Sequence, residues 1–330
     1  HHILADLSAF SLLVEVVRLS SHQTSQSLSL FIPEKTWLAL QWSRQLFGTH
    51  QCTPLLSIMV TKDPQYRADV VLDAEAKWPG QKALLFNMEP DWVTERPPGI
   101  HLLVDPQKDD TIHKPWHIQA TYLDKNPMEL MQIGRHQVRW GPKQYLMAWT
   151  CSHPVGWREN FTATLKKYMP IVGLGQLERT PEIAEKLESH CPRIIDPEDY
   201  ISLRKIKSCL LTPFKFHLVI ENTIREDYVT EKLFDTFFTD SVPVYLGAPN
   251  VQDFVPSPDS FINAASFSGP QELAAHIEAI GKDEMRWKKF FAWRNDPKAI
   301  SKLNKVWDKS FLHLPCRVAL AISNNTIPLS

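Results

Sequence analysis

The sequence predicts an α/β protein built on parallel sheets. Three observations carry the prediction: a strand, loop, helix and strand run from Phe214 to Pro249; a second unit of the same make begins at Gln144; and 330 residues suffice for two domains with sizeable cores. In the first unit, Lys215 to Ile220 is a short, nearly continuous apolar run, as expected of a central strand covered on both faces. Glu221 and Asn222 end it. After a polar loop, Thr230 is placed to cap a helix carrying Leu233, Phe234, Phe237 and Phe238 on one side, and Glu231 and Lys232 fall in its first turn. Val242 to Leu246 is the next strand, and Gly247-Ala248-Pro249 turns the chain away from the sheet. In the second unit Gln144 to Cys151 is strand-like and Ser152 to Gly156 is a loop. Arg158 then opens a helix with Phe161, Leu165 and Tyr168 on one face, ended by Pro170.

Further on, Asp196 to Asp199 is expected to cap a helix containing Leu203, Ile206 and Leu210. Pro270 to Ile280 reads as a helix begun by proline and stopped by Gly281, and a helix with Trp287, Phe290, Phe291 and Trp293 follows it. Ligands of open parallel sheets sit beyond the carboxyl ends of the strands, where Asn222, Tyr228, Glu231 and Lys232 all belong. A lysine in the first turn of a helix is unfavourable unless an anion compensates, and a phosphate is the obvious one. Arg158 puts a second cation at a second helix start, so the two units are expected to converge on one diphosphate, Arg158 offering a fork and Lys232 a point charge.

These residues resemble a known family. Lys-Phe-x-Leu-x-x-Glu-Asn from Lys215, Asp-Tyr-Val-Thr-Glu-Lys from Asp227, Val-Pro-Val-Tyr-Leu-Gly-Ala-Pro-Asn from Val242 and the following Phe-Val-Pro-Ser-Pro-Asp-Ser-Phe-Ile look like the donor-binding signature of the α1,3-fucosyltransferases, glycosyltransferase family ten, plant-type members closest. Leu146 to Gly175 and Phe86-Asn87-Met88-Glu89-Pro90 resemble it more loosely, with Pro90 directly after Glu89 where the family has a small residue between. The resemblance implies a GT-B fold, two Rossmann-like domains facing a cleft: residues 1–143 on the acceptor side, 144–300 binding GDP-fucose, and 301–330 a tail packing back toward the first domain.

It further implies inverting transfer of L-fucose from GDP-fucose to a glycan hydroxyl, in α1,3 linkage on an N-glycan core or a Lewis-type terminus. Transfer in α1,4 linkage, transfer to a protein-linked acceptor, and a non-catalytic nucleotide-sugar or glycan-binding protein stay open beside it. On matching positions Arg158, Lys215, Asn222, Tyr228, Glu231 and Lys232 would bind the donor, Glu89 would be the general base, and Tyr122 and Asp124 would meet the acceptor; Trp92, three residues beyond Glu89, is read from its ring alone as a platform for an acceptor sugar. No bound cofactor and no structural metal is implied, a divalent ion being at most stimulatory. The chemistry asks for these residue types. Breaking the fucose-phosphate bond leaves charge on GDP that fixed cations stabilise, while the weakly acidic acceptor hydroxyl needs a carboxylate to take its proton. Read from its setting alone, Glu89 is more readily a surface carboxylate after a strand, and it is the motif match that raises the functional reading.

The remaining features exclude more than they assign. With 36 Lys and Arg against 37 Asp and Glu, the chain carries no electrostatic footprint for nucleic acid or an anionic membrane. Gly173-Leu174-Gly175 lacks the third glycine of a dinucleotide fingerprint, and Pro115 between His113 and His117 argues against a metal-binding helix face. The apolar stretch Ile3 to Val17 is short and interrupted by Asp6 and Glu15, so the Golgi location and type II membrane anchor of full-length family members rest on the resemblance, the anchor being removed or absent here. Five cysteines leave at least one thiol free, and Cys316 lacks the nearby partner that a terminal Cys-x-x-Cys would supply.

Overall fold

A computed structural model of the chain describes residues 26–31, 48–53, 56–61, 70–72, 82–86, 102–105, 112–113, 143–191, 200–308, 316 and 319. Two sheets organise them. The first holds β1 (Gln26–Phe31), β2 (Gly48–Thr53), β3 (Leu56–Thr61), β4 (Val70–Leu72), β5 (Lys82–Phe86), β6 (Leu102–Asp105) and β7 (Ile112–His113) in the order β2-β3-β1-β4-β5-β6-β7. Its strands pair in parallel except at the β2 edge, which runs antiparallel to β3.

The second sheet contains β8 (Tyr145–Trp149), β9 (Val172–Gly173), β10 (Phe214–Ile220), β11 (Val242–Leu246) and β12 (Ile262–Asn263), all parallel, in the order β12-β11-β10-β8-β9. Around it lie α1 (Trp157–Leu165), α2 (Pro181–Glu188), α3 (Tyr200–Leu211), α4 (Glu231–Phe237), α5 (Pro270–Gly281), α6 (Glu284–Lys289) and α7 (Pro297–Asp308). The chain leaves β8 toward one edge through α1 to β9, then returns and continues from β10 toward the other. The strand order therefore reverses between β8 and β10, which in open α/β sheets is the crevice where ligands bind.

Alternation along β10 explains why the sequence there is apolar at almost every position. Phe216, Leu218 and Ile220 pack with Leu165 of α1 and with Leu273 and Ile277 of α5 on one face, whereas Val219 packs with Leu233, Phe234 and Phe237 of α4 and with Leu303 of α7 on the other. The expected helix faces are borne out at Leu165, Leu233, Phe234, Phe237 and Phe238, all buried. Tyr168 departs from expectation: α1 ends at Leu165, three residues short of it, so its ring leaves the helical face and is 45% exposed.

One polar side chain interrupts this core. His217 is buried, with Thr150 Oγ1 2.9 Å from Nε2 and Thr236 Oγ1 2.7 Å from Nδ1. Thr236 spends its single hydroxyl hydrogen on the Lys232 carbonyl, so it accepts from Nδ1–H and leaves Nε2 to accept from Thr150. The ring is thus neutral, and burial, helped by the nearby Lys207 charge, holds its pKa well below the ordinary histidine value. In the unfolded chain His217 gains a proton below about pH 6.5 that the fold refuses, so the unfolded state binds more protons and stability falls as pH drops from there. Thermal melts between pH 7 and 5 are expected to show a shallower loss of stability for His217→Gln than for the wild type; equal slopes would mean other groups govern it.

Two disulfides lie among the described residues: Cys191 with Cys209 of α3, and Cys52 of β2 with Cys316, 264 positions away. Cys151 is the free, buried thiol among them. The partner of Cys316 comes from the first sheet rather than from its own neighbourhood. No helix among the described residues is long and apolar enough to cross a membrane.

Candidate active site

The donor-site candidates assemble at the carboxyl end of β10. Arg158, the second residue of α1, is 4% exposed; its guanidinium donates to the carbonyl of Ile220, the last residue of β10, at 3.5 Å and to that of His153 at 2.6 Å, while its buried Nε has no hydrogen-bond partner. Lys232, the second residue of α4, puts its Nζ 3.5 Å from Glu221 Oε2, one residue past the same strand end. α1 and α4 cover opposite faces of the sheet, yet the strand reversal sets their N-termini on either side of one crevice. Two cations therefore flank a single strand end. Arg158 is turned inward on backbone carbonyls rather than held open as a fork.

Asn222 follows Glu221, and its carbonyl accepts from Trp157 Nε1 at 2.9 Å, fastening the start of α1 to this loop. Glu231 stands 3.5 Å from Lys232 Nζ. Tyr228 is buried at 1% exposure beneath the loop. The loop's shape is fixed from below: Asp227 adopts φ 62°, a left-handed conformation, and Asn250 holds it there by accepting from its N–H at 2.9 Å and donating to its carboxylate at 2.8 Å. The asparagine closing the Gly-Ala-Pro-Asn run thus supports a loop 23 residues earlier.

Lys215 is a correction. It lies at the opposite end of β10, where its ammonium bonds the Gly281 carbonyl at the end of α5 and its own carbonyl accepts from Trp287 Nε1. At about 3.3 Å per residue, the length of the strand separates it from Glu221, so the parallel register that gathers the other residues excludes it. Glu89, Trp92, Tyr122 and Asp124 lie outside the described residues.

Sequence reasoning missed the centre of the site. Sequence pattern marks Glu221 only as the end of a strand and Thr230 only as a cap, yet they are bonded. The Glu221 carboxylate, 0% exposed, accepts from the Thr230 N–H at 2.8 Å and from its hydroxyl at 2.7 Å. Burial pushes the Glu221 pKa up, and Lys232 and the Thr230 N–H partly offset this. Tyr245 reaches the same place from β11; burial and the Glu221 charge drive its phenol well above its ordinary pKa, and its oxygen accepts from the Ala248 N–H at 3.0 Å. A methyl group at Gly247 would collide with the Tyr245 hydroxyl and Glu221 Cγ, which is why the chain turns on glycine here. Gly247→Ala is expected to cost about 1–3 kcal/mol, read as a lower denaturation midpoint, whereas an unchanged midpoint would mean the network gives way freely.

Among the described residues no group of three or more His, Cys, Asp or Glu side chains is arranged to hold a metal. A cavity of about 590 Å³, lined by His276, Ile280, Arg286, Phe290 and Trp293 among others, lies beside α5 and α6 and shares no residue with the β10 crevice.

Comparison with known proteins bears on this geometry. Residues 140–327 match the model of glycosyltransferase family 10 (fucosyltransferase), C-term. An alpha-(1,4)-fucosyltransferase of Arabidopsis thaliana is 44% identical over 115 residues, 35% of this chain and 28% of the relative. A GDP-fucose protein O-fucosyltransferase 3 of Xenopus laevis is 31% identical over 156 residues, 47% of this chain and 31% of the relative. The chain thus spans less than a third of the length of either relative. The crystal structure of an alpha1,3-fucosyltransferase with GDP superposes with a TM-score of 0.56 at 15% identity, covering 87% of this chain and 90% of that one. The shared fold is GT-B, as expected from the sequence.

Proposed function

We propose that this chain, which belongs to glycosyltransferase family 10, the fucosyltransferases, transfers L-fucose from GDP-fucose to a glycan hydroxyl with inversion. The observation that carries the reading is that Arg158 and Lys232 both reach the end of β10, at Ile220 and Glu221, in the crevice where the strand order reverses. The orphaned Nε of Arg158 adds a buried donor suited to an anion. The structural neighbour holds GDP, and the name of the Xenopus relative contains GDP-fucose.

In this reading Arg158 and Lys232 hold the diphosphate, with Asn222, Tyr228 and Glu231 beside it. The acceptor oxygen bonds to the fucose anomeric carbon while the bond from that carbon to phosphate breaks, and its electron pair leaves with GDP, where the two cations stabilise the added charge. Glu89, from the residue 1–143 domain, takes the acceptor proton, and Trp92, Tyr122 and Asp124 orient the acceptor sugar. In this reading residues 144–300 are the donor domain, and the Cys52–Cys316 disulfide supports the tail's tie to the first domain. The two disulfides suit an oxidising compartment and support a lumenal, Golgi setting.

Transfer in α1,3 linkage to an N-glycan core or Lewis-type terminus is the primary reading. Identity to the Arabidopsis enzyme favours α1,4 transfer as the second, and identity to the Xenopus relative favours a protein-linked acceptor. The test is incubation with GDP-fucose and acceptors that offer only the 3-hydroxyl of N-acetylglucosamine, only its 4-hydroxyl, or a protein hydroxyl, with the new linkage read by NMR. Product on the first supports the primary reading, and product on another replaces it with that linkage. Tight GDP binding with no transfer to any acceptor points to a nucleotide-sugar-binding protein.

A further inference from the structure

We propose that Glu221 is a positioning residue for the nucleotide, acting on the ligand only through Lys232 by way of the Thr230 hydroxyl; this rests on the reading of the β10 crevice as the GDP-fucose site. Glu221 is 0% exposed and carries the same sign of charge as a diphosphate, so it makes no direct bond to the nucleotide. What it touches is Thr230, twice: its Oε1 accepts from the backbone N–H at 2.8 Å and its Oε2 accepts from the hydroxyl at 2.7 Å.

A threonine hydroxyl has one hydrogen to give. With that hydrogen committed to Glu221, the oxygen turns its lone pairs outward, and they accept from the Lys232 N–H at 3.3 Å and from its ammonium at 3.1 Å. The Glu221 carboxylate is 3.5 Å from the same ammonium, beyond an ordinary hydrogen bond, so it draws Lys232 by charge without capturing it. Lys232 keeps 25% of its side chain exposed, toward solvent. In Glu221→Gln one carboxylate acceptor becomes an amide NH2, which donates to the Thr230 hydroxyl and competes with the Lys232 ammonium for its lone pairs. The relay then ceases to define where the positive charge stands. A bare structural cap would need the Thr230 bonds but no particular relation to Lys232.

A double-mutant cycle read by calorimetric titration of the full chain with GDP separates the two roles. Glu221→Gln is expected to weaken GDP binding about tenfold in the wild-type background. In the Lys232→Ala background the same change is expected to cost less than about twofold, because the residue through which it acts is gone. Equal losses in both backgrounds overturn the proposal and leave Glu221 a structural cap. Should Glu221→Gln fail to fold, Thr230→Val breaks the relay with Glu221 intact and runs through the same cycle. Thr230→Ser keeps the hydroxyl and is expected to retain wild-type affinity; a loss in that variant equal to that in Thr230→Val overturns the relay. A wild-type chain that binds no GDP would refute the nucleotide-sugar reading itself, whereas GDP binding with additive losses refutes only the role of Glu221.

Discussion

Replacing Glu89 with glutamine is expected to lower kcat for fucosyl transfer by roughly 10²-fold or more while GDP affinity stays at the wild-type value. The substitution keeps size and hydrogen-bonding shape and removes only the capacity to take a proton. An acceptor hydroxyl is a very weak acid and forms no effective nucleophile at neutral pH unless its proton leaves as the new bond forms. In the proposed reading donor binding belongs to the residues around the end of β10 and needs nothing from Glu89, so calorimetry with GDP and steady-state turnover should part company in this variant. Near-normal turnover would reject Glu89 as the base. A parallel loss of GDP affinity would make its role structural.

Lys232→Ala is expected to weaken GDP binding by a few kcal/mol at most and to lower kcat by roughly 10²–10³-fold, because the charge on the departing GDP grows through the transition state. Unchanged GDP affinity would remove Lys232 from the phosphate site. The variant also leaves Glu221 buried without its cation, and the already raised pKa of that carboxyl rises further. The sign follows: the folded state holds the Glu221 proton more tightly than the unfolded chain, so this contribution to stability is present below about pH 4.5 and is lost as pH rises through the folded value. Melting temperatures of variant and wild type should lie closest in acid and diverge toward neutral pH. A constant difference would mean that Glu221 is discharged by another partner.

Much of this was legible because its physics is local. The apolar run ending at Ile220, the cap at Thr230 and the buried stripe Leu233, Phe234 and Phe237 follow from periodicity and capping, and the structure reproduces all three. Lys215 went astray for a related reason: it stands in the same motif as Asn222, and proximity in sequence hides the fact that a strand carries its two ends apart. The bond between Glu221 and Thr230 spans nine residues, and that between Asp227 and Asn250 spans 23; no periodic pattern encodes either.

By itself the sequence determined the parallel α/β design, the two strand-loop-helix units and the cations at their helix starts, since strand and helix periods and capping residues act over a few positions. Only the tertiary structure decided that α1 and α4 lie on opposite faces and still deliver Arg158 and Lys232 to one strand end, that Lys215 is excluded from it, and that a buried glutamate sits between. Strand order and register are set by packing between segments far apart in the chain, and burial in that packing is what gives Glu221 its perturbed charge.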